Sequence, residues 1–156
     1  MKKIVLFSLA ALLFFNASEV KAYNSEVAKA FAEMFAEVTG PKAGKGLHLI
    51  KPEAFIKNLE EYKNYQILDV RTPEENAIFG MTMHNVISIQ ISELFKPENL
   101  KKLPVDKNIL VVCSSGSRAA AVGTALRATG FKNVFILMGG FASLSEYLST
   151  PAPLVK

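Results

Sequence analysis

One stretch of the sequence combines a nucleophile, a run of small residues and a cation within six positions. It reads Cys113-Ser114-Ser115-Gly116-Ser117-Arg118. An apolar run precedes Cys113 and a helical pattern begins near Arg118, so the predicted order is strand, tight loop and helix. In this order the N–H groups of the loop and of the first helical turn converge on one point, which favours negative charge. A cysteine at that point is favoured as the thiolate, the form in which sulfur acts as a nucleophile.

Cys113 is the only cysteine among the 156 residues, so the chain can form no internal disulfide. The ordinary alternative is that Cys113 fills the end of a core strand and that the serines form a simple turn. A thiol–disulfide oxidoreductase is disfavoured because no second cysteine is present to resolve a mixed disulfide. The sequence holds no nucleotide-binding glycine pattern and no cluster of cysteines and histidines, so neither a metal nor an organic cofactor is predicted.

Short apolar runs alternate with helical stretches through most of the chain, which predicts an α/β fold. The runs are 47–50, 66–70, 86–89, 109–113 and 134–137, and their Val, Ile and Leu content is typical of buried strands. The predicted helices are 25–38, 52–62, 73–79, 91–103, 118–129 and 141–148. We therefore expect a parallel sheet of about five strands with helices on both faces, preceded by one N-terminal helix. Ligands of such sheets bind beyond the carboxyl ends of the strands.

The N-terminus has the three parts of a secretory signal peptide: two lysines, an apolar stretch from Ile4 to Phe15, and a polar run that ends at Ala22. Twelve helical residues span about 18 Å, which is too short for a hydrocarbon core of about 30 Å. The expected division is therefore a cleaved signal peptide over 1–22, an N-terminal helix and connection over 23–46, and one domain over 47–156. The mature protein is expected to be exported, without a stable membrane anchor.

The charge of the chain gives no indication of nucleic-acid binding. The formal net charge is +4, and it falls to +2 when the three lysines and one glutamate of the signal segment are removed. Nucleic-acid binding usually needs a concentrated basic face.

Three motifs in the same order resemble the rhodanese family. The first is the Cys113 to Arg118 loop, which is similar to the family's Cys-x-x-Gly-x-Arg. The second is Leu68-Asp69-Val70-Arg71-Thr72-Pro73-Glu74-Glu75, similar to its Asp-Val-Arg-x-x-x-Glu segment, and the third ends at Gly139-Gly140. The resemblance covers 47–151 and implies a rhodanese-like three-layer domain.

The resemblance implies sulfur transfer through a persulfide on Cys113, from thiosulfate or polysulfide to cyanide, a thiol or a partner protein. Ser114, Ser115, Gly116 and Ser117 would form the active-site loop, and Arg118 would bind the anionic donor and stabilise that loop. Arg71 is the second candidate for binding the anion. Asp69 would orient its strand end or pair with an arginine, and a purely structural carboxylate is an equal alternative. Since Arg118 is the only charged loop residue, polysulfide is expected to be the better donor.

Other functions stay open at this point. The fold could instead carry or sense sulfur, or bind a partner, with little turnover of its own. Phosphatase activity is the weaker enzymatic alternative, because tyrosine phosphatases place five residues between cysteine and arginine and this chain places four. His84 stands where the family's usual pattern is disrupted, and it receives no catalytic role.

The export signal, the lone cysteine and the N-terminal helix resemble the periplasmic single-domain rhodaneses, including polysulfide-sulfur transferases. The helix has an apolar face that contains Phe31, Met34 and Phe35. This face could cover one edge of the sheet or pack against a second subunit, which would make the protein a homodimer.

Overall fold

A five-stranded, wholly parallel sheet forms the centre of the computed structural model, which describes residues 22–36 and 38–149. The strands are β1 (Leu49–Ile50), β2 (Gln66–Asp69), β3 (Val86–Ser88), β4 (Ile109–Val112) and β5 (Val134–Leu137). Their order across the sheet is β1-β5-β4-β2-β3, so β4 lies in the middle. This arrangement confirms the predicted α/β fold.

Helices connect the strands, as parallel pairing requires. They are α1 (Ser25–Phe35), α2 (Ala43–Gly46), α3 (Pro52–Lys57), α4 (Leu59–Tyr62), α5 (Pro73–Ile78), α6 (Ile91–Leu94), α7 (Pro97–Leu100), α8 (Ser117–Ala128) and α9 (Gly140–Ser149), with a 3-10 turn at Gly40–Lys42. None of the helices within 22–36 and 38–149 is long and apolar enough to cross a membrane. Apart from Ala22, the predicted signal peptide lies outside the described residues.

Side chains that alternate along the strands divide the core into two clusters, one on each face of the sheet. Ile109 and Val111 of β4 join Leu94, Val122 and Leu126 on the face that α6 and α8 cover. On the opposite face, α3, α4 and α9 cover β4. The residues of this second cluster are Leu110, Val112, Phe55, Tyr62, Phe141 and Leu144 with their strand neighbours. Because both faces are buried, all four residues of β4 are apolar.

The register of the sheet brings the two polar strand ends together. Asp69 of β2 lies opposite Val112 of β4, the residue immediately before Cys113. The N–H of Val70 donates to the carbonyl of Val112 at 3.0 Å, so pairing continues one residue beyond β2. The segment that begins at Asp69 and the loop that begins at Cys113 therefore leave the sheet side by side.

Two predicted helices are each broken into two short ones. The predicted helix 52–62 is interrupted at Asn58, whose φ of −119° and ψ of 33° lie outside the helical region. Its side-chain amide donates to the carbonyl of Ala54, a local bond that competes with helix continuation. The predicted helix 91–103 is broken before Pro97, which lacks an N–H and disfavours helical geometry in the residue before it.

The N-terminal helix packs against another helix, which differs from the expectation that it covers a sheet edge. α1 is capped by Asn24, whose side-chain oxygen accepts from the N–H groups of Glu26 and Val27. Its main packing partner is α8, the helix on the outer face of β4 and β5. The aromatic rings of Phe31 and Phe35 stack with centroids 5.9 Å apart. Packing of this helix against a second subunit stays a prediction.

Candidate active site

Cys113 lies at the carboxyl end of the central strand, and its sulfur faces backbone donors. The N–H of Gly116 points at Sγ from 3.1 Å, and the N–H of Ala119 from 3.3 Å. Ala119 belongs to the first turn of α8, where N–H groups have no partner inside the helix. The side chain is fully buried. Two N–H donors that converge on a sulfur atom stabilise it as an anion.

Two carbonyl groups of the loop accept hydrogen bonds from α9. The N–H of Phe141 donates to the carbonyl of Cys113, and the N–H of Ala142 donates to that of Ser114, both at 2.9 Å. These donors come from the first turn of α9, where N–H groups are free to bond outside the helix. Because the carbonyls of Cys113 and Ser114 are bonded to α9, the N–H groups on the other side of the loop point towards the sulfur.

Two glycines permit this close packing. Gly116 has a φ of +88°, and a Cβ there would lie 2.8 Å from the backbone nitrogen of Gly139. Gly140 has a φ of +56°, and a Cβ there would lie only 2.1 Å from the carbonyl oxygen of Cys113. Because the neighbouring atoms belong to the backbone, no change of side-chain rotamer can make room. The Gly139-Gly140 turn is thus a structural part of the cysteine loop.

A carboxylate that the sequence analysis did not select holds the arginine of the loop. Glu75, on α5, accepts from Nη1 of Arg118 at 2.7 Å and from Nη2 at 2.6 Å. It also accepts from the hydroxyl of Ser114 at 2.5 Å. Nη2 of Arg118 makes a further bond to the Ser114 hydroxyl oxygen at 3.0 Å. Arg118 therefore stabilises the loop through its bond to Ser114 while it pairs with Glu75.

The hydrogen bonds of this pair shift the pKa values of both partners. The pKa of Glu75 is held far below its ordinary value of 4.5, first because Arg118 donates to the carboxylate and then because Ser114 and the N–H of Thr72 do so. The pKa of Arg118 is raised, chiefly by the bonds to Glu75 and to a smaller extent by the sulfur of Cys113. Both shifts favour the charged forms of the two side chains.

Asp69 and Arg71 form a buried ion pair beneath the loop. Nε and Nη2 of Arg71 donate to the two carboxylate oxygens of Asp69, the closest at 2.7 Å. Nη2 also donates to the side chain of Asn76 and to the carbonyl of Phe79. The guanidinium carbon lies 3.8 Å from the centroid of the Phe141 ring, a cation–π contact.

This network gives Arg71 a different position from the one expected for a donor-binding group. The side chain is 1% exposed, and its remaining nitrogen, Nη1, is buried without a partner among the described residues. The arginine supports the loop through Phe141, whose N–H binds the Cys113 carbonyl. A direct role of Arg71 in binding the donor stays a prediction.

The other loop serines face outward. Ser115 and Ser117 are exposed, and their hydroxyl oxygens lie 3.1 Å apart. His84 is also exposed, in a turn before β3. No group of side chains able to hold a metal ion occurs within 22–36 and 38–149. Beside the loop lies an open cavity of about 450 Å³, lined by Arg71, Glu75, Ile78, Phe79, Ser114, Phe141, Ala142 and Ser145.

The family model of the rhodanese-like domain matches residues 51–147, which include the cysteine loop, the Asp69–Arg71 pair and the Gly139-Gly140 turn. The chain belongs to this family. The match confirms the resemblance seen in the sequence.

Two curated proteins match parts of this rhodanese-like chain. The chloroplastic rhodanese-like/PpiC domain-containing protein 12 of Arabidopsis thaliana is 31% identical over 88 residues, which are 56% of this chain and 29% of that protein. A sulfurtransferase of Allochromatium vinosum is 26% identical over 98 residues, 63% of this chain and 88% of that protein. The chain thus spans less than a third of the plant relative.

A solved structure shows the same fold. The rhodanese-related protein of Thermoplasma volcanium superposes on this chain with a TM-score of 0.56 and 33% sequence identity. The aligned region covers 69% of this chain and 98% of that protein.

Sequence reasoning assigned no role to two contributors to the site of this rhodanese-like domain, although Glu75 stands at the final glutamate of the second family motif. Glu75 had a local signal, because Thr72 and Glu75 form a capping box in which each side chain accepts from the other's backbone N–H. That signal predicts a helix start and says nothing of Arg118, which lies 43 residues away. Phe141 follows two glycines and had no signal beyond its place in an apolar helix face.

Proposed function

We propose that this protein is a sulfurtransferase in which Cys113 carries a sulfane sulfur as a persulfide. The observation that carries the proposal is the pair of N–H donors at 3.1 and 3.3 Å from the Cys113 sulfur. These donors stabilise the thiolate before the reaction. Membership of the rhodanese-like family and similarity to a sulfurtransferase support the same class of reaction.

In the first half-reaction, the thiolate attacks the sulfane sulfur of the donor. A bond forms between Sγ and that sulfur, while the bond between the sulfane sulfur and the rest of the donor breaks. The electron pair of the broken bond leaves with sulfite when the donor is thiosulfate, or with a polysulfide shorter by one sulfur. The terminal sulfur of the persulfide is an anion, so it also benefits from N–H groups that point at it.

In the second half-reaction, an acceptor attacks the terminal sulfur and the electron pair of the S–S bond returns to Sγ. Cyanide becomes thiocyanate, and a thiolate acceptor becomes a persulfide. The Cys113 thiolate is regenerated, and the reaction needs no outside oxidant or reductant. The acceptor in the cell is proposed to be a small thiol or the cysteine of a partner protein.

The charge of the site favours polysulfide over thiosulfate as the donor. Three serines occupy the loop positions, and its one cation, Arg118, is already paired with Glu75. Thiosulfate carries two negative charges on a five-atom ion, whereas a polysulfide spreads its charge along a chain. A site with little uncompensated positive charge therefore gains less from thiosulfate.

The test is sulfur transfer to cyanide by the full chain, expressed with its own N-terminal segment, with thiosulfate and polysulfide as alternative donors. Cys113→Ser is the control. We expect turnover that is absent from the variant, a gain of about 32 Da on Cys113 for one bound sulfur atom, and a lower KM for polysulfide. A lower KM for thiosulfate contradicts the donor assignment. Uptake of sulfur without turnover identifies a carrier, and no uptake refutes the persulfide.

We also propose that the protein is exported to the periplasm after cleavage behind Ala22, because residues 1–22 have the composition of a signal peptide. The check is N-terminal sequencing of the protein from the periplasmic fraction of its host. A first residue at Tyr23 is the expected result. An intact Met1 in the cytoplasmic fraction refutes export.

A further inference from the structure

Glu75 connects three parts of the site through its two carboxylate oxygens. It pairs with both terminal nitrogens of Arg118, it accepts from the Ser114 hydroxyl, and it accepts from the N–H of Thr72 at 2.9 Å. Its side chain is 32% exposed and that of Arg118 is 29% exposed. Glu75 also lines the open cavity beside the loop, so the ion pair lies where a charged donor could approach.

The arginines of the two sequence motifs are each matched by a carboxylate. Arg71 is paired with Asp69 beneath the loop, and Arg118 is paired with Glu75 at its rim. The formal charge of each pair is zero. A donor that enters the loop therefore meets backbone N–H groups, with Arg118 only as a neutralised partner.

We propose that Glu75 is a specificity-determining residue. Because its carboxylate neutralises Arg118, the site binds a compact dianion such as thiosulfate less tightly, and polysulfide is the preferred donor. This inference rests on the proposed function and names the residue that sets its donor preference. Glu75 acts on the donor through Arg118, so it is a positioning residue and not a catalytic one.

The structural role of Glu75 can be separated from its charge. In its capping box the side chain stands at the third helical position, where glutamine serves as well as glutamate. Glutamine also keeps one oxygen that can accept from Ser114 or Arg118. The substitution Glu75→Gln thus preserves the helix start and removes one negative charge, which leaves Arg118 with an uncompensated positive charge.

The matched control is Glu74→Gln. Glu74 precedes Glu75 on the same helix and is exposed, while the hydrogen bonds of Arg118 go to Glu75 and Ser114. Both variants change the net charge of the protein by the same amount. Any effect of overall charge on anion binding is therefore common to the two.

The experiment measures kcat/KM for thiosulfate and for polysulfide, with cyanide as the acceptor. In Glu75→Gln we expect the ratio of thiosulfate to polysulfide kcat/KM to rise about five- to twentyfold, through a lower KM for thiosulfate. In Glu74→Gln the ratio should change less than about twofold, because an exposed charge farther from the donor is screened. Damage to the loop cannot imitate this result, since it would lower the activity with both donors.

A double variant tests whether Glu75 changes the donor preference through Arg118. Glu75→Gln combined with Arg118→Gln removes both charges, and we expect it to lose the gain with thiosulfate. An unchanged or lower ratio in Glu75→Gln, in protein whose unfolding curve shows that it is folded, overturns the inference. So does a gain that persists in the double variant.

Binding without turnover separates this inference from the proposed function. In the Cys113→Ser background, titration calorimetry with thiosulfate should show tighter binding when Glu75→Gln is added. This measurement is valid even if the wild-type protein takes up no sulfur, an outcome that would refute the proposed function alone. Equal or weaker binding with Glu75→Gln overturns the role of Glu75 whether or not sulfur is transferred.

Discussion

Substitution of Gly140 by alanine should damage the site far more than the addition of one methyl group suggests. A Cβ at this position would stand 2.1 Å from the carbonyl oxygen of Cys113 and 2.8 Å from the nitrogen of Gly116. Ordinary contacts begin near 3.4 Å, so the cysteine loop and the α9 turn must separate by about 1.3 Å. A displacement of about 1 Å at a reacting group can cost about 100-fold in rate.

The loss of stability has two parts. Alanine at a φ of +56° costs about 1–2 kcal/mol, because its Cβ crowds the following carbonyl. Forcing extra volume between packed backbone segments adds about 1–3 kcal/mol. We therefore expect Gly140→Ala to lower the free energy of unfolding by about 2–5 kcal/mol and to reduce kcat/KM for sulfur transfer about 100-fold.

The variant Gly40→Ala separates the cost of the backbone conformation from the cost of the tight packing. Gly40 has a φ of +53°, almost equal to that of Gly140, but no atom lies within 4 Å of its would-be Cβ. This variant should show only the backbone cost and keep full activity. Urea unfolding and the cyanide assay measure both quantities. If Gly140→Ala has the stability of Gly40→Ala and keeps its kcat/KM within about threefold of wild type, the tight contact between loop and turn is refuted.

Two further predictions concern charged groups. Arg71→Met leaves the Asp69 carboxylate buried without its partner, so the free energy of unfolding should fall by about 3–5 kcal/mol in urea; a loss below about 1 kcal/mol would show that the pair contributes little. The second follows from the lowered pKa of Glu75. Below about pH 4.5 the unfolded chain takes up a proton at this carboxylate and the folded chain does not, so the stabilisation from Glu75 is complete above that pH and declines as the pH falls. Wild type should therefore lose stability more steeply than Glu75→Gln between about pH 5 and pH 3, and parallel curves would contradict the shift.

The positions of the five strands along the chain could be predicted because each is a short apolar run between turn signals. All five predicted runs contain a strand of the structure, and β5 has the predicted bounds of 134–137. Helix boundaries were less predictable where a single residue decided them. The break at Asn58 depends on a side-chain bond to the Ala54 carbonyl, which competes with a helical pattern that continues on both sides.

The centre of the site could be predicted for a different reason. The cysteine and its N–H donors lie within seven consecutive residues, so local geometry brings them together. The partner of Arg118 lies on another helix, 43 positions away, and Phe141 reaches the loop from α9. Such contacts depend on how the helices pack, which no local pattern specifies.

The complete burial of Cys113 has a consequence for a protein with a single thiol. A disulfide between two chains requires their cysteine Cα atoms to come within about 4.4–6.8 Å of each other. A cysteine beneath its own loop, at the end of the middle strand, cannot approach another copy so closely while the domain stays folded. The fold therefore protects its one thiol from covalent dimerisation through Cys113, and the protein has no second cysteine that could form such a bond instead.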